Sequence, residues 1–175
     1  MRLNRIYILK YGLYMDEYDI DSLDIKILRE LQSDADQTMQ ELGERVGLSH
    51  TPCWRRVRRL RDAGVIRKQV TLLDPDHLHL AVNVFVHVTL RNHQENGLTL
   101  FEESVQDIPE IVECYTVSGD RDFLLRVIVA DVAAYEHLLK HVLINLPGVD
   151  NLSSTFALRQ VKYTTEFPLG NASVA

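Results

Sequence analysis

From residue 20 to residue 66 the apolar positions recur every three or four residues; from residue 82 they alternate. Leu23, Ile27, Leu28 and Leu31 form a first helical stripe, with Ser22 placed to cap it and Asp34-Ala35-Asp36 to break it. A second stripe, Met39, Leu42 and Val46, begins at about Thr38 and ends at Gly47. A third, Cys53, Val57 and Leu60, follows a Ser49 cap, with Pro52 in the first turn, where its missing N–H costs little. Ala63-Gly64 stops that helix, and Val65 to Leu73 reads as a strand or short hairpin closed by Asp74-Pro75. Three helices and a strand make a winged helix-turn-helix over residues 20–74, preceded by an extension over 1–19.

Residues 75–81 read as a hinge. Beyond them Val82, Val84, Val86, Val88 and Leu90 alternate with polar or mixed positions, the pattern of a half-buried strand. Leu98, Phe101, Val105 and Ile108 suit a helix ended by Pro109. Ile111 to Ser118 and Asp122 to Ala130 are strands joined through Gly119-Asp120. Asp131 caps a helix carrying Tyr135, Leu138, Leu139, Val142, Leu143 and Leu146, and Pro147-Gly148 stops it. A last strand runs from about Asn151 to Phe167. The order β-α-β-β-α-β over residues 82–168 is ferredoxin-like, followed by a tail at 169–175. The two β-α-β halves are the only internal repeat, and the chain as a whole is α+β.

Charge sharpens this division. The 175-residue chain has a formal net charge of −6, yet residues 1–68 hold 13 Lys and Arg against 11 Asp and Glu, and residues 69–175 hold 6 against 14. Within 55–68 stand Arg55, Arg56, Arg58, Arg59, Arg61, Arg67 and Lys68 with one acid, Asp62. That is the local footprint of a polyanion partner on an acidic protein. A hydrophobic fraction of 46% excludes a disordered chain. No apolar run reaches the roughly 18 residues that span a bilayer. The opening residues MRLNRIYILKYGLY carry Lys10 inside their apolar patch and no small-residue cleavage site, so they make a poor signal peptide. Residues 1–14 are either dispensable or an arm that packs on a partner. Two cysteines, Cys53 and Cys114, match no zinc spacing and fit a reduced, cytoplasmic protein.

The third helix is the candidate DNA reader. Side chains in the first turns of such a helix reach base edges, which points to His50, Thr51, Trp54 and Arg55, with Ser49 at its entry. Arg56, Arg58, Arg59 and Lys68 are placed as phosphate contacts, with Thr38 and Gln40 at the entry of the second helix. Other readings stand beside these: Arg56 or Arg59 pairing with acids of the first two helices, and Trp54 as a packing residue. In the hairpin Ser118-Gly119-Asp120-Arg121-Asp122-Phe123, a glycine lets a ligand approach the backbone, N–H groups can hold a carboxylate, and Asp120 or Asp122 can hold an amino group. The plain alternative is a tight turn whose Asp satisfies itself. His137 and His141, four apart, lack a convincing third metal ligand. Cys53 lies in a first turn, where a thiolate is favoured, but its spacing to Val57 points to the core.

These residues resemble the Lrp/AsnC family of feast/famine regulators over about residues 20–167. The resemblance is carried by Leu23-Asp24 with Ile27-Leu28, VGLSHTPCWRRVRRLRDAGVI at 46–66, LLDP at 72–75, VSGDRDFLLRV at 117–127, LPGV at 146–149 and QVKYT at 160–164. Many members carry Gly-Tyr soon after GVI, where this chain has Arg67-Lys68-Gln69. The resemblance implies a cytoplasmic transcription regulator with a C-terminal RAM-type domain, no cofactor and no metal. It implies double-stranded DNA as one partner and an amino-acid-type effector as another. It also implies homodimers, paired through the C-terminal domain, that assemble to octamers. It places the effector site at the Gly119, Asp120 and Asp122 loop, at Val132, and at Ser154, Thr155, Phe156 and Ala157. A DNA-compacting protein without effector response is the rival reading. An enzyme on a ferredoxin-like domain finds no catalytic constellation to support it.

Overall fold

The computed structural model describes residues 19–91 and 95–171; the expectations for residues 1–14 lie outside them. The chain divides into two compact units. One comprises the described residues up to Thr71 together with those from Tyr163 onward, and the other is Leu72–Lys162.

The first unit contains α1 (Ser22–Ser33), α2 (Met39–Val46) and α3 (His50–Asp62) around Ile27, Leu42, Val46, Cys53, Val57 and Leu60. Each helix starts where its sequence supplies an acceptor. Asp21, not Ser22, caps α1: its carboxylate accepts the N–H groups of Leu23 and Asp24, and Asp24 accepts the Asp21 N–H in return. Thr38 and Glu41 form the same reciprocal box at α2. Ser49 stands at the cap position of α3 without a side-chain cap bond. Gly47, at φ +77°, turns the chain from α2 toward α3.

A second glycine is needed for space. A Cβ on Gly43 would lie 2.6 Å from the Leu48 carbonyl oxygen, itself part of the turn that the Leu48 N–H closes on Gly43. Gly43→Ala must therefore push the α2–α3 corner apart. A loss of about 1–3 kcal/mol is expected in urea unfolding, because an inserted methyl meets backbone rather than a yielding side chain.

No strand forms over Val65 to Leu73, which corrects the expected wing ladder. Val65 and Ile66 pack on the helical core, but from Arg67 to Ala81 every residue is exposed. Residues 67–74 find no strand partner within the described residues, and their apolar residues Val70, Leu72 and Leu73 face solvent. Residues 75–79, within the expected hinge, form a turn closed by the Leu80 N–H on the Pro75 carbonyl.

The second unit is an antiparallel sheet of order β2-β3-β1-β4, from β1 (Val82–Leu90), β2 (Ile111–Thr116), β3 (Phe123–Val129) and β4 (Val149–Phe156). Helices α4 (Glu95–Ser104) and α5 (Val132–His141) follow β1 and β3, completing the ferredoxin-like order. Val84, Val86, Val88 and Leu90 fill one face with Phe123, Leu125, Val127 and Val129, and Phe101, Val105, Tyr135, Leu138 and Leu143 cover it. The other face carries Phe85, His87, Thr89, Leu124, Arg126 and Ile128, all only partly covered.

The last strand is shorter than expected. Its final ladder bond is the Ala157 N–H on the Asn83 carbonyl, and from Leu158 to Pro168 the chain is exposed. From Tyr163 onward it groups with the helical unit. The Gln32 amide donates to the Phe167 carbonyl and accepts the Phe167 N–H, both at 3.0 Å, and Arg29 donates to the Leu169 carbonyl. A side-chain amide thus replaces a strand neighbour. Gln32→Ala is expected to speed hydrogen exchange at the Phe167 amide while lowering unfolding stability by only about 1 kcal/mol, since the groups released are exposed.

Candidate DNA-binding face and effector-binding loops

With Cys53, Val57 and Leu60 inward, the 100° step of a helix turns Thr51, Arg55, Arg58 and Asp62 outward, with Trp54 and Arg59 on the flanks. The structure agrees: Thr51, Trp54, Arg55, Arg58 and Arg59 are exposed, as are Ser49, His50, Lys68, Thr38 and Gln40. Trp54 is 44% exposed and the Arg58 guanidinium lies 5.4 Å from its ring centroid, a cation–π contact. Asp62, 3.7 Å from Arg58, steadies the same group. Thr38 and Gln40 already bond to Glu41 and Glu44.

Arg56 is the exception. It points to the flank facing α1, with its Nη1 2.6 Å from Asp21 and 2.8 Å from Asp24. Its side chain is 23% exposed and that of Asp24 1%. The expected phosphate contact is therefore not where its guanidinium sits, and the pairing alternative describes the site. Spacing carried the signal: Arg56 is three residues after Cys53 and four before Leu60, on the edge of the buried seam. Asp24 is likewise three before Ile27. The Asp24 N–H, followed by Arg56, holds the Asp21 carboxyl below its ordinary value near 3.8. A lowered folded-state pKa gives stability that is complete above the unfolded value and fades as pH falls through the folded one. The acid limb of the first unit's unfolding, below about pH 4, is thus expected to be shallower in Asp21→Asn than in the wild type.

The expected effector residues fall into two groups along the sheet. Gly119, at φ +117°, and Asp120, 91% exposed, lie in the β2–β3 turn, where Arg121 approaches both Asp120 and Thr89. Asp122 extends the ladder: its N–H donates to the Val88 carbonyl and its carboxylate accepts the Leu90 N–H at 2.8 Å. This turn is at the Leu90 end of β1. Ser154 to Ala157 close β4, running from Ser154 opposite Val86 in the middle of β1 to Phe156 opposite Val84 and Ala157 beyond it. There the Ser154 hydroxyl meets the Tyr135 hydroxyl, and Phe156 packs edge-on against Tyr135 at 5.2 Å. Val132 opens α5 just after β3, whose Val129 pairs with Val82, and is 60% exposed. Six residues of β1 separate the ends, about 20 Å.

His137 and His141 pack ring on ring at 4.5 Å, and no group of three or more metal-ligating side chains occurs among the described residues. Burial pushes the Cys53 thiol up, against the effect of its first-turn position, and pushes Cys114 up to about 11 with help from Glu102. No described helix is long and apolar enough to cross a membrane.

Known proteins share both units. A winged helix-turn-helix DNA-binding profile matches residues 20–67, and the Lrp/AsnC ligand binding domain matches residues 83–167. The leucine-responsive regulatory protein of Escherichia coli is 43% identical over 144 residues, covering 82% of this chain and 88% of that protein. An AsnC family transcriptional regulator from Agrobacterium tumefaciens superposes with a TM-score of 0.81 at 47% identity, over 86% of this chain and 97% of that one. A transcriptional regulator from Neisseria meningitidis, solved as a complex with L-methionine, gives 0.82 at 37% identity, over 87% and 98%. With a helix-turn-helix that exposes Arg55, Arg58 and Arg59 and a ferredoxin-like sheet behind it in sequence, the chain belongs to the Lrp/AsnC family of DNA-binding transcriptional regulators.

Proposed function

We propose that this regulator binds DNA sequence-specifically as a homodimer and higher assembly, and that an amino acid or related small metabolite alters that binding. The observation that carries the DNA reading is the exposed Thr51, Trp54, Arg55, Arg58 and Arg59 face on a helix fixed by its own core. Arg55 reads a base and Arg58, Arg59 and Lys68 meet phosphates. Two α3 helices of a dimer then enter successive major grooves roughly 34 Å apart, and several dimers bend longer DNA.

Pairing is supported by the uncovered sheet face. That face carries Phe85, His87, Leu124 and Ile128, all only partly covered within the described residues, which a second copy can cover. Leu158, Val161 and Tyr163, exposed on an extended segment, ask for cover as well. The effector site is composed from more than one chain, because the Gly119–Asp122 turn of one copy needs the Ser154–Ala157 end of another to enclose a ligand. The Neisseria relative's L-methionine complex supports an amino acid as the ligand class. The protein works in the cytoplasm, without cofactor or catalysis.

The test is Arg55→Ala in a DNA titration. Removing a base-reading arginine costs about 1–3 kcal/mol on the preferred duplex and much less on random DNA. Equal losses on both would contradict its role in readout. Equal affinity of the wild type for all DNA would favour a compacting protein instead.

A further inference from the structure

We propose that Arg56 is a positioning residue for sequence recognition: it ties the recognition helix α3 to the start of α1 and does not touch DNA. The role rests on the reading of the chain as a sequence-specific binder.

Three features support it. The guanidinium lies on the flank of α3 turned toward α1, away from the outward Thr51–Arg55–Arg58 face. Its Nη1 is shared by two carboxylates at 2.6 and 2.8 Å, one of them, on Asp24, almost fully buried. Reaching a phosphate would take the guanidinium away from that buried carboxylate, which is unfavourable. Asp21 and Asp24 are also the two halves of the α1 capping box, so one hydrogen-bonded unit joins the first turn of α1 to the second turn of α3. The three charged groups of that unit are thereby held beside the core that contains Ile27, Cys53 and Leu60.

The consequence differs from that of a phosphate contact. Base-edge hydrogen bonds demand close placement of the helix, whereas phosphate contacts tolerate small rotations and carry no sequence information. Losing the Arg56 link therefore reduces discrimination more than it reduces general affinity. Removing a phosphate contact reduces both alike and flattens the salt dependence.

The experiment begins by selecting a duplex from a random pool with the wild-type protein and comparing it with its scrambled version. Wild-type preference for the selected duplex tests the sequence-specific reading; without it there is no recognition to position, and the role falls too. Arg56→Met, Asp24→Leu/Arg56→Met and Asp21→Asn are then titrated from about 50 to 200 mM salt. Arg56→Met is expected to lower affinity for the selected duplex about tenfold, for the scrambled one less than about twofold, with an unchanged salt slope. The double variant, which replaces the buried pair by apolar side chains, recovers most of the preference. Equal loss on both duplexes, with a salt slope smaller by about 0.9 and no recovery, would overturn the proposal. Should Arg56→Met fail to fold, Asp21→Asn decides, because asparagine keeps the helix cap while removing one partner's charge. Reduced preference supports positioning; tighter binding to both duplexes with unchanged preference means that the freed Arg56 reaches phosphate.

Discussion

Alanine at Arg55, Arg58 and Arg59 together is expected to weaken binding to a preferred duplex by on the order of a hundredfold to a thousandfold, with no comparable loss of folding stability. All three are exposed on α3. The acidic remainder of the chain offers little positive surface to replace them: residues 69–175 carry 14 acids and 6 bases. The salt dependence carries the sharper signature. Without the cations of Arg58 and Arg59 at the phosphates, the slope of log affinity against log salt should fall by about 1.8, each phosphate counting about 0.9. Fluorescence anisotropy across a salt series measures this, with circular dichroism melting as the folding control. Retained affinity and an unchanged slope would mean that another surface meets DNA.

Phe123→Ala has the largest expected effect on folding. Its ring is fully buried, lies 4.5 Å from that of Phe101, and starts the strand directly after the Gly119–Asp122 turn. Large aromatic-to-alanine changes in a core cost about 3–5 kcal/mol. The loss should fall on the sheet unit alone, because the two cores share no residue. Trp54, the single tryptophan, reports on the helical unit, so its fluorescence transition in urea should stay in place while the far-ultraviolet signal of the sheet unit moves to lower urea. A single transition that shifts as a whole would show that the units unfold as one.

Helix positions are legible because the caps and stops are local: Thr38, Gly47 and Asp131 each sit where the sequence places them. Alternation alone locates β1 within Val82–Leu90. The segments that differ find no strand neighbour among the described residues. Val65 to Leu73 and the residues after Phe156 have strand-like composition, but a strand needs a neighbour, and composition does not say whether that neighbour is present. Gly43 is silent in the sequence because its role depends on where Leu48 lies. By composition Arg56 joins its neighbours in one cationic ladder, while helical phase sets it on the seam with Asp24. The expected effector residues stand in the sequence as two blocks, and only strand register reveals that one lies at the Leu90 end of β1 and the other runs from its middle toward Val84.

The central claim is that an amino-acid-type ligand changes how this regulator holds a particular DNA sequence. A titration of the full chain on the DNA upstream of its own gene and on a scrambled duplex, at about 150 mM salt, tests it most directly when repeated with each amino acid. A ligand shifts binding only if it favours one assembly over another. The account predicts selective binding to the upstream DNA that one amino acid or a related few alter. Equal binding to both duplexes, unmoved by any amino acid, would contradict it.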